Sequence, residues 1–260
     1  MLNWIKRQRL GKSSEHIENI EENDLIRLSD VSLSKNSVTV LKNLSVSIEH
    51  RTTGIIGNNG SGKSSFVRLL NGLNTPDKGR IEVFGYDTVI HKSLLPMQVG
   101  FIFQNPDHQI IFPTVLEELM FGLEQNGVTE AQARQLSIDI LKQNRCEEMA
   151  DRSIQTLSEG QKQLICILSI LVMQPKLLIL DEPFSSIDLP TRRRLLNLVL
   201  EQAPRLIMVS HDLNILMDFD RLIWMHDGAI KMHDEPAKVV AAYESFVKQT
   251  LNKNHDFHLS

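Results

Sequence analysis

Gly57-Asn58-Asn59-Gly60-Ser61-Gly62-Lys63-Ser64 fits the pattern GxxxxGK[ST]. The residues before it, Thr53 to Gly57, read as a short buried strand, and Lys63 to Leu73 read as the helix that follows. Strand, glycine-rich loop and helix in that order make a phosphate cradle. Glycines at 57, 60 and 62 let backbone N–H groups converge on phosphate oxygens, and the helix adds the positive end of its dipole. Lys63 is placed to hold β and γ phosphates. Ser64, with Ser65 beside it, offers a hydroxyl to Mg²⁺, which takes oxygen ligands and needs few of them from protein. Asn58, Asn59 and Ser61 complete the binding loop. A bare Gly-Asn turn would account for the loop but not for the strand before it and the helix after it.

Composition narrows the class. With 260 residues, 42% hydrophobic and 23% charged, the chain has the make-up of a globular protein with a sizeable core. Its 28 Lys and Arg against 32 Asp and Glu leave a net charge of -4, so it lacks a polyanion-binding footprint and no nucleic-acid partner is expected. Cys146 and Cys166 have neither CxxC spacing nor a secretory leader beside them, which fits reduced thiols in the cytoplasm. The longest apolar run, Leu164 to Met173, stops at Gln174-Pro175, too short to cross a bilayer. Action at a membrane therefore goes through a partner. Residues 1–24 form a charge-segregated tail, with Lys6, Arg7, Arg9 and Lys12 ahead of Glu15, Glu18, Glu21, Glu22 and Asp24. A solvated tail is expected there, with a membrane-surface contact through Trp4, Ile5 and Leu10 as the alternative.

From Leu25 onward, short β-rich runs alternate with helical patterns, the rhythm of an α/β protein with a mainly parallel sheet. Leu25 to Leu33 and Val38 to Ile48 read as antiparallel strands. Between Pro113 and Arg145 the apolar residues recur at three-to-four spacing (Val115, Leu116, Leu119, Met120, then Ala131, Leu136, Ile140, Leu141), which predicts a helical insert. The core resumes with strands at Lys176 to Leu180, Leu206 to Ser210 and Arg221 to Met225, and the helix Pro190 to Gln202 lies among them.

Leu177-Leu178-Ile179-Leu180-Asp181-Glu182-Pro183 is a buried strand ending in two adjacent carboxylates, the arrangement of a Walker B motif. Asp181 suits the Mg²⁺ shell. Glu182 suits polarising an attacking water, since phosphoryl transfer needs a positioned nucleophile more than a strong base. Leu157-Ser158-Glu159-Gly160-Gln161 can be read alone as a helix cap, with Ser158 as N-cap and Gln161 as its reciprocal partner. Beside the other two motifs, it resembles the LSGGQ signature of ATP-binding cassette ATPases.

That resemblance, covering about Leu25 to Val240, implies an α/β P-loop NTPase with a RecA-like core, an antiparallel β subdomain and a helical insert at about 105–173. The ATPase domain would occupy 25–243 and a C-terminal tail 244–260. It implies a head-to-tail pair of subunits, identical or different, in which Ser158, Gly160 and Gln161 of one close over the γ-phosphate held by the other. Gln104, in Phe101-Ile102-Phe103-Gln104-Asn105-Pro106, matches the Q-loop glutamine that touches Mg²⁺ and the attacking water. Ser185-Ser186-Ile187-Asp188 matches the D-loop, and His211, in Val209-Ser210-His211-Asp212, the switch histidine. Two positions depart from the pattern: Lys35 stands where an aromatic residue stacks on adenine, and Glu159 stands where the signature has glycine. The alkyl stem of Lys35 can still cover a purine face, so weaker base selectivity is expected.

The run Phe103-Gln104-Asn105-Pro106-Asp107-His108-Gln109-Ile110-Ile111-Phe112-Pro113-Thr114-Val115, followed by Glu117-Glu118 and Phe121-Gly122, is similar to the ATPases of energy-coupling factor transporters. This implies ATP and Mg²⁺ as ligands, hydrolysis coupled to import, and a peripheral place on the cytoplasmic face of the cell membrane. Its implied partners are a transmembrane coupling protein and a small substrate-binding membrane protein. Two readings of Glu117 and Glu118 stay open: contacts for the coupling protein's arginines, or acidic residues that favour a helix N-terminus. Asp188-Leu189-Pro190-Thr191-Arg192-Arg193-Arg194 and Asp218-Phe219-Asp220-Arg221 are similar to biotin-specific members, with cobalt, nickel or another vitamin behind biotin as cargo. The rival class, a soluble cassette ATPase acting on nucleic acid or ribosomes, expects a long coiled coil between the motifs or a second cassette, and the sequence has neither. A P-loop kinase or GTPase would leave Leu157 to Gln161, Gln104 and His211 without a role.

Overall fold

In the computed structural model, which describes residues 23–255, the chain runs through β1 (Ile26–Lys35), β2 (Val38–Ile48), β3 (Thr52–Ile56), α1 (Lys63–Leu70), β4 (Lys78–Val83), β5 (Tyr86–Asp87), β6 (Val99–Ile102), α2 (Val115–Gln125), α3 (Glu130–Gln143), α4 (Glu159–Leu171), β7 (Leu177–Asp181), α5 (Leu189–Gln202), β8 (Leu206–Val209), α6 (Leu213–Leu216), β9 (Arg221–His226), β10 (Ala229–Asp234) and α7 (Pro236–His255). The tail contact suggested by Trp4, Ile5 and Leu10 lies outside the described residues. The described residues form two units. A phosphate-loop unit comprises Asp24–Lys92 and the chain from Ile207, and a signature unit comprises Ser93–Leu206.

In the phosphate-loop unit, β1 and β2 pair antiparallel. Asn36 and Ser37, with φ of 49° and 64°, make the two-residue turn whose twist matches that of a hairpin. Ile26 and Leu28, then Val31 and Leu33, are buried. The break in alternation is a bulge between Leu28 and Val31, where Asp30 takes φ of 49°. The other sheet of this unit has the order β10-β9-β3-β8. β3 is buried at all five residues, as a strand covered on both faces must be, and it pairs parallel with β9. Its start is fixed by Asp220, whose carboxylate accepts from the Thr52 N–H and hydroxyl at 2.8 and 2.9 Å. One of the residues that carry the biotin resemblance thus has a role in the fold. α1 stops at Leu70, short of the expected Leu73, because Gly72 turns left-handed with φ of 75°.

In the signature unit, β6 and β7 pair parallel and the helical insert is α2, α3 and α4. Thr114 caps α2 through a capping box with Glu117. α4 carries the longest apolar run and buries Gln163 through Ser169, so that run belongs to a core helix. No helix among the described residues is long and apolar enough to cross a membrane.

Candidate active site

The phosphate loop takes its form from what lies behind it. A Cβ on Gly57 would lie 2.2 Å from the Met225 carbonyl oxygen, and one on Gly62, where φ is +100°, 2.6 Å from Leu41 Cδ2. Side chains are excluded at both points, so the backbone itself faces the ligand. α1 begins at Lys63 with no capping side chain and no acidic residue in its first turn. The positive end of its dipole is therefore not offset by a carboxylate and favours an anion. Lys63 is 5% exposed, and its ammonium donates to the carbonyls of Gly57 at 2.8 Å and Asn58 at 3.1 Å. A phosphate would compete with these two neutral acceptors and, being charged, make the stronger bond. Ser64 and Ser65 follow on the same turn, and Asn58, Asn59 and Gly60 are exposed at the rim. The Ser210 N–H donates to Ile55 O at 3.3 Å, so His211 leaves its strand beside the end of β3 from which the loop springs.

The signature unit gathers its own set of site residues at strand ends. Ile102 of β6 stands opposite Leu180 of β7 in parallel register. Gln104 and Glu182 therefore leave the sheet two residues past the same line, at the strand ends where α/β folds place their ligands. Asp181 closes β7 and is buried. Glu182 takes φ of 52°, a conformation costly for a non-glycine residue before proline. The turn out of β7 therefore falls on Glu182 itself. The Gln104 amide donates to Ser185 Oγ at 3.4 Å, bringing Q-loop and D-loop together.

Ser158 caps α4: its Oγ accepts from the Gln161 N–H at 3.3 Å, and Gln161 Oε1 accepts from the Ser158 N–H at 3.0 Å. Ser158, Glu159, Gly160 and Gln161 line one hollow with Ser186, Asp188 and Arg194. The signature and D-loop residues thus share a surface, and the Glu159 carboxylate shares it with a guanidinium. A Cβ on Gly160 would lie 2.7 Å from Thr191 Cγ2, so the glycine lets α4 approach α5. Asp188 caps α5 by accepting from the Thr191 N–H at 3.1 Å, and that bond holds its carboxyl below the usual carboxylate range.

Several contacts escape sequence reasoning. Lys162 pairs with Asp107 at 2.7 Å, the Gln109 amide donates to Cys166 O at 3.2 Å, and Gln109 Oε1 accepts from the Phe103 N–H at 3.3 Å. Together they clamp the Gln104 segment to the signature helix. The charge pattern of Asp107 and Lys162 is visible in the sequence, but nothing there pairs two residues so far apart. Glu117 and Glu118 both make local bonds. Glu117 completes the cap at Thr114, and Glu118, 6% exposed, accepts from the N–H groups of Ile111 and Phe112 at 2.9 and 3.0 Å. Lys35 ends β1 at the exposed hairpin tip, opposite Val38.

The model of the ABC transporter family matches residues 41–185, from β2 through the phosphate loop and signature to the D-loop. The chain belongs to this family. It is an ATPase subunit with the ABC-type P-loop NTPase fold expected from its sequence. The biotin transport ATP-binding protein BioM of Rhodobacter capsulatus is 41% identical over 218 residues, 84% of this chain and 93% of that protein. The energy-coupling factor transporter ATP-binding protein EcfA1 of Fusobacterium nucleatum subsp. nucleatum is 36% identical over 242 residues, 89% and 92% of the two chains. Among solved structures, cbiO1 from Clostridium perfringens, part of the ABC transporter complex cbiONQ, matches with a TM-score of 0.75 at 28% identity, covering 92% of this chain and 99% of that one.

Proposed function

We propose that this chain is the ATP-hydrolysing subunit of a membrane importer of the energy-coupling factor type, with biotin as the favoured cargo ahead of another vitamin or a metal ion. The observation that carries the branch is the likeness to BioM and EcfA1 over more than four fifths of the chain. The clamp of the Gln104 segment onto α4 supports coupling, because a change at Gln104 is passed to the signature helix through Lys162 and Gln109. In this reading the ATPase domain spans 25–243, flanked by an N-terminal tail and a C-terminal stretch from 244 that begins inside α7.

The roles follow the two sets of site residues. Gly57 to Ser65 hold the triphosphate, with Lys63 moving from the loop carbonyls to β and γ oxygens. Glu182 and His211 orient and polarise the attacking water, and Gln104 reports its position. The Ser64 hydroxyl, the buried Asp181 carboxylate and the Gln104 amide oxygen are hard oxygen donors of the kind Mg²⁺ takes, and their small number fits an ion that keeps waters and phosphate oxygens as ligands. When bound, Mg²⁺ neutralises charge developing between the β and γ phosphates. Ser158 and the leading N–H groups of α4 serve the γ-phosphate of a second subunit arranged head to tail. ATP favours the closed pair and ADP the open one, and this difference in affinity supplies the work. The coupling protein and the substrate-binding protein are of the membrane, and this subunit sits peripherally on the cytoplasmic face.

Affinity purification of the tagged chain from solubilised membranes tests the proposal. A multispanning coupling protein and a small membrane protein that retains labelled biotin should come with it. Recovery of the chain alone, or with ribosomes or nucleic acid, would overturn the importer reading, and retention of a different cargo would correct only the biotin assignment.

A further inference from the structure

We propose that Tyr243, on the C-terminal helix α7, is a positioning residue for the phosphate loop and sets the affinity of this subunit for nucleotide. Its hydroxyl donates to the side-chain oxygen of Asn58 at 2.9 Å, across 185 residues of sequence. Asn58 occupies a variable position of GxxxxGK[ST], so this contact is not required by the motif. Within the loop, however, Asn58 is a node. Its carbonyl accepts from the Ser61 N–H at 3.1 Å and from the Lys63 ammonium at 3.1 Å. The residue that Tyr243 grips is thus one of those that hold Lys63 before phosphate arrives.

The ring that carries the hydroxyl is itself fixed. Tyr243 meets Trp224 edge-on with centroids 5.5 Å apart, and Phe246, one turn further along α7, lies 5.3 Å from the same indole and 4.7 Å from His226. The Lys231 ammonium sits 3.7 Å from the centre of the Phe246 ring, a favourable cation–π placement. Trp224 directly precedes Met225, whose carbonyl backs Gly57, and the Gly228 N–H donates to Ser61 O at 3.2 Å. The same β9–β10 hairpin therefore supports the loop from behind and anchors the tyrosine that holds it at the rim. Burial raises the Tyr243 phenol above its ordinary range, so it stays protonated, and a donor, throughout the physiological range.

Fixing Asn58 orients the loop before binding. Freeing it leaves the closed loop one of several accessible forms, and the apparent affinity falls by the fraction that remains competent. The inference rests on the loop's assigned role, and Lys63→Ala serves as the control for that role. The test is titration of the full chain with MgATP, together with steady-state hydrolysis and thermal unfolding. Tyr243→Phe keeps the ring on Trp224 and removes only the donor. It is expected to weaken MgATP binding about three- to tenfold, the range of one net hydrogen bond, raising KM while kcat holds, with a fall in Tm of no more than about 5 °C. Asn58→Ala should also weaken MgATP binding, and the double variant should lose no more affinity than either single one. Wild-type affinity in Tyr243→Phe, additive losses in the double variant, or a fall in kcat as large as the loss of affinity would overturn the proposal. If Lys63→Ala bound MgATP normally, the loop assignment itself would fail.

Discussion

Gly160 is read both as a functional residue of the signature and as a packing residue, and one pair of substitutions separates the two. In Gly160→Ala the new methyl falls 2.7 Å from Thr191 Cγ2, while the next contacts, Thr191 Cβ and Ile187 Cγ2, are at 3.7 and 3.9 Å. The conflict is thus with a single methyl group, which must retreat by about 1 Å to reach an ordinary carbon–carbon contact. Threonine is stiff at χ1, so the retreat strains α5 or α4. Overpacking of this kind costs about 1–3 kcal/mol, and the gain from replacing glycine in a helix offsets up to about 1 kcal/mol. A net loss of about 1 kcal/mol lowers the Tm of a domain this size by about 2–4 °C. Thr191→Ser deletes the offending methyl, so Gly160→Ala/Thr191→Ser should recover the wild-type Tm by calorimetry. ATP hydrolysis by the double variant should stay low, because a side chain still crowds the Gly160 N–H that is read to face a second subunit's phosphate. An unchanged Tm in Gly160→Ala would refute the packing reasoning, and full recovery of hydrolysis in the double variant would show that the glycine serves packing alone.

Glu182→Gln should bind MgATP, collect as a dimer on size-exclusion chromatography and lose about 10²–10⁴ in kcat, the range for a positioned acid–base group; near-normal turnover would remove Glu182 from its assigned role. Glu118→Ala leaves the Ile111 and Phe112 N–H groups without their acceptor at a cost of about 1–3 kcal/mol for each left buried, whereas Glu117→Ala loses only a cap worth about 1 kcal/mol; equal Tm losses would contradict the burial difference. Burial pushes the Cys146 thiol up to about 11 and the Cys166 thiol higher still. At pH 8 both are protonated, with about one part in a thousand of Cys146 as the reactive thiolate. Dithionitrobenzoate should therefore find no fast thiol in the folded chain and two in denaturant, and rapid labelling of either cysteine in the native state would be the contrary result.

What the sequence disclosed was whatever short-range pattern decides. β3, α2, β7 and α5 fall close to where the sequence places them, because each is either wholly buried or sharply capped. β4, β6 and β10 escaped notice. β6 is four residues with a glycine in the middle, and in β10 most residues are only half-buried, so neither run shows a clear period. α7 has the same weakness: Val239 is fully buried, but Tyr243 and Phe246 are only half-covered, and its amphipathic stripe is thin. The chemistry of the loop, the paired carboxylates and the signature is written in contiguous motifs. The clamp of Asp107 on Lys162 and the grip of Tyr243 on Asn58 join distant segments, and no local pattern encodes them.

The signature also shows why two sequence readings that look like rivals need not be. The capping box at Ser158 uses one lone pair of the hydroxyl, as acceptor for the Gln161 N–H, and leaves its proton free to be donated. A cap of this form satisfies the third N–H of the helix and the N–H of the cap residue. The N–H groups of Glu159 and Gly160, at the first two helical positions, have no partner within the helix. These are the donors that an anion at a helix start requires. The cap fixes the helix end, and the fixed end is what presents those donors together with the hydroxyl proton. Stability and phosphate recognition therefore draw on different atoms of the same residues, and selecting the residues for one preserves the other.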